Sequence, residues 1–150
     1  MNKIILLRYG EIYLKGKNRG FFEKSLLKNI YEVIIKIDKN AKVKRESGRY
    51  FVFNFSQENL EVLVERISKI FGLVSLSVAT EVENNSQIIE NAIKNLIKNG
   101  DFNELEVAKT FKIDVNRADK KFPIQSNQFE RELGGVVLDI YPNLKVNLTN

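Results

Sequence analysis

Between Ile4 and Thr80 the spacing of apolar residues changes period again and again. That order restricts the fold more than any other feature of the chain. Ile4 to Tyr9 is a short, nearly continuous apolar run that reads as a buried strand. Phe22, Leu26, Ile30, Val33 and Ile37 then recur at helical steps, with Lys24, Lys28, Glu32 and Lys36 largely on the opposite face. Asp38-Lys39-Asn40 ends this helix. Val43 to Glu46 and Arg49 to Phe55 read as strands joined at Ser47-Gly48, a tight hairpin in which glycine tolerates positive φ. Leu60, Leu63, Val64, Ile67 and Phe71 make a second helical stripe, and Gly72 is its stop. Leu73 to Thr80 reads as a further strand. The order is β-α-β-β-α-β, the split ferredoxin-like unit, closing at about residue 77.

The remaining residues repeat helix and strand more sparsely. Glu81 to Asn85 is a polar break. Ser86 is placed to cap a helix carrying Ile88, Ile89, Ala92, Ile93, Leu96 and Ile97, stopped by Gly100. Thr110 to Asn116 alternates, with Phe111, Ile113 and Val115 inward. Ser126 is placed to cap a helix carrying Phe129, Leu133, Val136, Val137 and Ile140, which ends before Pro142. Leu144, Val146 and Leu148 alternate once more. The expected fold class is α+β: a ferredoxin-like domain over 1–77, then a small α/β domain over 78–150. Two clear strands make a thin sheet, so the second domain is expected to be C-terminally incomplete.

Charge is unevenly placed. Residues 1–55 hold 13 Lys/Arg and 5 Asp/Glu, a net of +8, within a chain whose net charge is +5. Concentrated cations favour an anionic partner, although basic residues also serve merely to solvate exposed faces. The chain has no cysteine and no histidine. It therefore has no thiolate nucleophile, no thiolate metal site and no imidazole base. No paired carboxylates stand out as an acid/base site, so no catalytic residue and no metal ligand is assigned. Ile4 to Leu7 is too short for a signal peptide or a membrane span. A cytoplasmic protein without a membrane partner is expected.

Three segments gather cations where they can meet phosphate. The first is the glycine-punctuated run Arg8-Tyr9-Gly10-Glu11-Ile12-Tyr13-Leu14-Lys15-Gly16-Lys17-Asn18-Arg19-Gly20, set between strand and helix. Lys15, Lys17, Asn18 and Arg19 are its candidates for holding a phosphodiester backbone, and Glu11 is read as orienting a cation. Backbone N–H groups at a helix entrance suit an anion. The same glycines also suit a plain strand-to-helix connection. No Gly-Lys-Ser/Thr follows them, which excludes a Walker loop. The second segment is the hairpin, with Lys42 and Lys44 on one strand face, Arg45 on the other, and Arg49 and Tyr50 opening the return strand. Its alternative reading is a sheet edge protected by lysine against self-pairing. The third is the loop after Asn116, with Arg117, Lys120 and Lys121, together with Arg131 on the following helix; the alternative is a solvated loop partly neutralised by Asp119. Phe51, Phe53 and Phe55 share one strand face by the period of two. They are expected to form core beneath the helices rather than a base-stacking sheet, since no RNP-type motif accompanies them.

The order Arg8-Tyr9-Gly10-Glu11, Leu14-Lys15-Gly16, Asn18-Arg19, Phe22-Glu23, Leu26 and Asn29-Ile30 resembles the opening of tRNA 4-thiouridine synthase. Thr110-Phe111-Lys112, Arg117, Asp119-Lys120, Phe122-Pro123, Ser126, Arg131-Glu132 and Leu133-Gly134 resemble that family's THUMP domain, which other tRNA-modifying enzymes also carry. The resemblance implies a ferredoxin-like and a THUMP domain that together grip the acceptor stem and 3′ end of tRNA. It further implies that a PP-loop domain uses ATP and Mg to adenylate a uridine, and that a cysteine desulfurase donates the sulfur. The family is also linked to thiamine biosynthesis. This sequence contains no PP-loop of the Ser-Gly-Gly-x-Asp-Ser type and no cysteine to carry sulfur. The expectation is therefore an RNA-gripping portion with no cofactor of its own. The alternatives are the RNA-binding module of another THUMP enzyme, or a fragment that mediates docking or forms a homodimer.

Overall fold

A computed structural model describes residues 2–10 and 18–148. The chain divides into two compact units, Met1–Glu81 and Val82–Asn150. In the first, β1 (Asn2–Tyr9), α1 (Arg19–Ile37), β2 (Lys42–Glu46), β3 (Arg49–Phe53), α2 (Leu60–Ile67) and β4 (Leu73–Glu81) follow in the expected ferredoxin-like order. The sheet order is β2-β3-β1-β4, and every neighbouring pair is antiparallel.

The register explains the core. Ile5 lies opposite Val52 and Val78, and Leu7 opposite Tyr50 and Leu76. These side chains share one face, and Ile5, Leu7, Tyr50 and Val52 are fully buried against Leu26, Ile30 and Ile34 of α1 and Leu63 and Ile67 of α2. The helical stripe on α1 is thus shifted: Ile34 joins Leu26 and Ile30 at its centre, while Phe22, Val33 and Ile37 flank it. The hairpin turns at Ser47 (φ 53) and Gly48 (φ 75), two consecutive left-handed residues, as a two-residue turn between twisted strands requires.

Several expectations fail for local reasons. Phe51 and Phe53 point away from the helices and belong to no buried cluster, because Tyr50 and Val52 hold the helix-facing positions of β3. Phe55 does enter the core. Asn54, at φ 60, breaks the strand's alternation just before it. The α2 helix stops at Ile67, so Phe71 does not join its stripe and stays exposed. Gly72 has φ 98, and a Cβ there would lie 3.1 Å from the Phe22 ring, so glycine is needed twice over.

Asp38 ties α1 to the segment after β3. Its carboxylate accepts from the backbone N–H groups of Ser56 (2.7 Å) and Asn40 (2.9 Å) and from Asn59 Nδ2 (3.0 Å). These donors, Ser56 first, hold its carboxyl below the usual carboxylate range.

The second unit contains α3 (Ser86–Lys98), β5 (Thr110–Phe111), α4 (Ser126–Ile140) and β6 (Lys145–Val146), with a short 3₁₀ turn at Asn103–Glu106. β5 and β6 pair in parallel across the α4 crossover. Burial alternates from Phe111 to Val115 as expected, but ladder pairing reaches only Thr110 and Phe111. Leu144 is buried, whereas Val146 and Leu148 are exposed. Asn85, not Ser86, caps α3, accepting from the N–H groups of Gln87 and Ile88. Ser126 is the first residue of α4; Gln125 takes the cap position without a side-chain bond. Two clusters fill the unit: Ile97, Val137 and Leu144 at one end, and Phe122, Phe129 and Leu133 at the other.

Asp38 sets an acid limit on stability. Its folded pKa is depressed, so its contribution is present above the unfolded value of about 4 and is lost as pH falls through the folded one. Urea midpoints measured between neutral and strongly acid pH should show an acid-side loss in the wild type that is smaller in Asp38→Asn, which is also less stable at neutral pH.

Candidate nucleic-acid interface

Glu23 organises the cations at the start of α1. It lies one turn after Arg19, so one carboxylate oxygen reaches Arg19 Nε at 2.9 Å. The other oxygen receives Arg45 Nη2 from β2 at 3.0 Å. The Glu23 side chain is only 12% exposed, against 56% for Arg19 and 38% for Arg45. Arg45 Nε also donates to the Tyr9 hydroxyl at 3.4 Å, and the Tyr50 hydroxyl donates to the Glu23 carbonyl at 2.8 Å. The two tyrosine rings meet with centroids 5.2 Å apart. Burial pushes the Tyr50 hydroxyl up to about 12. Both guanidiniums are held more firmly protonated than usual, Arg19 chiefly by Glu23 and Arg45 chiefly by Tyr9. Two fixed, permanently charged forks beside a helix N-terminus can meet phosphate oxygens while keeping their orientation.

The other candidates divide among separate places. Lys15, Lys17 and Glu11 lie outside the described residues. Asn18 precedes α1, and its carbonyl accepts from the Phe22 N–H at 2.9 Å. Lys42, Lys44 and Arg49 stand on the sheet face opposite Arg45, as the strand period requires. Lys44 Nζ lies 3.3 Å from Glu46 and above the rings of Phe51 and Phe53.

In the second unit Arg117 has a local task. Its Nη1 donates to the carbonyls of Phe122 (3.1 Å) and Ile124 (3.4 Å), closing the loop onto itself. Lys120 and Lys121 are exposed on that loop, and Asp119 accepts from the Lys121 N–H at 2.9 Å. Arg131, exposed on α4, borders a cleft of about 340 Å³ lined by Phe111, Ile113, Leu138 and Val146. Sequence reasoning missed Glu23 as the organising carboxylate. The signal was its i, i+4 spacing from Arg19; its link to Arg45 depends on the sheet. Among the described residues no cluster of acidic side chains could hold a metal ion, and no helix is long and apolar enough to cross a membrane.

A ferredoxin-like unit followed by a small α/β unit defines a two-domain class. Residues 4–77 match the ThiI ferredoxin-like domain, and residues 83–150 match the THUMP domain. The two matched domains follow one another along the chain. It is 36% identical to a probable tRNA sulfurtransferase of Acetivibrio thermocellus, with all of this chain and 38% of that protein aligned. It is also 36% identical to a probable tRNA sulfurtransferase of Natranaerobius thermophilus, over 99% of this chain and 36% of that one. Among solved structures it resembles a 4-thiouridine synthetase in complex with RNA and bound ATP, with a TM-score of 0.76 and 30% identity over 100% of this chain and 36% of that one. The chain thus spans little more than a third of these relatives.

The Glu23 bridge is open to a direct test. A double-mutant cycle of Glu23→Gln with Arg45→Gln should give a coupling of about 0.5–1 kcal/mol in urea unfolding, the range for partly exposed pairs. Strict additivity would show that the two side chains do not cooperate.

Proposed function

We propose that residues 1–150 form the tRNA-gripping part of a tRNA sulfurtransferase that makes 4-thiouridine, holding the acceptor stem and unpaired 3′ end. The observation that carries this reading is the likeness, over the whole chain, to a 4-thiouridine synthetase solved with RNA. The +8 net charge of residues 1–55 agrees with it. So does the conversion of Arg19 and Arg45 into fixed forks by Glu23. In the second unit the contacts are assigned to Lys120, Lys121 and Arg131, which are exposed. Arg117 is assigned to building the loop that presents them.

The reaction itself, with its need for ATP, Mg and a sulfur donor such as a cysteine desulfurase, is placed outside these residues. They include no cysteine to carry a persulfide and no histidine to move a proton near neutral pH. The role of this chain is to fix the RNA so that one uridine meets chemistry done elsewhere, and the place of action is the cytoplasm.

Binding to an acceptor-stem minihelix with an unpaired 3′ end, at two salt concentrations, tests the proposal. Each phosphate contact on duplex should contribute about −0.9 to the log–log salt slope. Lys120→Gln with Lys121→Gln should weaken binding uniformly across sequences and shallow the slope by about 2. A flat salt response of the wild-type chain would sink the reading.

A further inference from the structure

The first unit's sheet has two faces of different fate. One is sealed by α1 and α2. On the other, the register sets Lys44, Phe51, Leu6 and Ser77 in one row across all four strands. Lys42 and Phe53 form a neighbouring cross-strand pair, as do Ile4 and Ala79. Phe51 and Phe53 are only half-buried and belong to no core cluster. Lys44 Nζ stands 5.8 Å and 5.3 Å from their ring centroids. At the far side Arg8 Nη1 donates to the hydroxyls of Ser77 (3.2 Å) and Ser75 (3.5 Å), which lays its guanidinium across β4.

We infer that this open face is a stacking platform for unpaired nucleotides, with Phe51 and Phe53 taking bases and Lys42, Lys44 and Arg8 meeting the phosphates beside them. The inference rests on the RNA-binding reading and extends it to a surface that the family match does not assign. The chemistry follows from the page. Every base offers a π-face, so a ring platform accepts RNA without reading sequence. Lysine and arginine beside the rings supply the charge that a polynucleotide backbone requires. The face is net cationic: Arg8, Lys42, Lys44 and Arg49 outnumber Glu46 and Glu81 in the strand register. An apolar protein partner would have no use for that excess, and duplex RNA presents no base faces for the rings.

The test compares a minihelix bearing an unpaired 3′ tail with a blunt duplex of the same stem. Phe51→Leu with Phe53→Leu keeps apolar volume on the face and removes both rings. The double variant should weaken binding of the tailed RNA about tenfold, with blunt-duplex affinity and the salt slope unchanged. Unchanged tailed-RNA affinity in a folded variant would overturn the platform while leaving the RNA reading intact. Equal loss on both RNAs would also overturn it. A wild-type chain that binds neither RNA would overturn the RNA reading and the platform with it. A second measurement needs no variant: a halogenated uridine in the tail, irradiated in complex with the wild-type chain, should cross-link at Phe51 or Phe53. Cross-links confined to residues 82–150 would place the tail elsewhere and reject the inference. A concentration-dependent dimer that the leucine variant abolishes would assign the face to a second copy instead.

Discussion

The register of β1 between β3 and β4 governs the first unit. Ile5 opposite Val52 and Leu7 opposite Tyr50 put four fully buried side chains under the two helices. Strand side chains alternate, so this single choice also sends Leu6, Phe51 and Lys44 to the opposite face. A slip of one residue would exchange the faces, exposing the core and burying lysine. The large cost of burying an unpaired ammonium is what keeps the register fixed.

The same register brings Arg45 to the helix-facing side near the hairpin, where a charge would otherwise be poorly placed. Glu23 on α1 resolves this. Its carboxylate, nearly enclosed, is shared by a guanidinium from its own helix and one from the sheet. Tyr9 and Tyr50 fill the space around it and give their hydroxyls to the same network. A polar cluster that is satisfied throughout adds orientation as well as stability, because each member restricts the rotamers of the next. The described residues contain no buried side-chain polar atom without a partner. The proposed phosphate contacts thus rest on a rigid corner of the fold.

The second unit is held differently. Its β5–β6 ladder pairs only two residues on each strand, and α3 and α4 supply most of its buried side chains. The basic loop there is shaped by Arg117 gripping carbonyls at 122 and 124 and by the Phe122–Phe129 ring pair beneath it. Arg117, one of the cations the sequence offered as a ligand for RNA, donates its Nη1 to the loop's own backbone, while Lys120 and Lys121 lie exposed on its surface.

Element order was legible in the sequence because helical and strand periods differ, and because Gly48 and Gly72 mark positions that demand positive φ. The resemblance carried by Arg8 to Ile30 and by Thr110 to Gly134 was legible too, since local motifs survive without knowledge of packing. The face on which Phe51 and Phe53 lie was not. Tyr50 and Val52 alternate with them and are equally apolar, so either set satisfies the period, and only helix docking selects between them. Nor did the sequence join Glu23 to Arg45, which are separated by a helix and a turn and meet only when α1 packs against the sheet. Local periodicity and turn chemistry determined which elements form, because they act between neighbours in the chain. Tertiary packing alone decided which surface is sealed, which carboxylate orients which cation, and which aromatic rings lie outside the core.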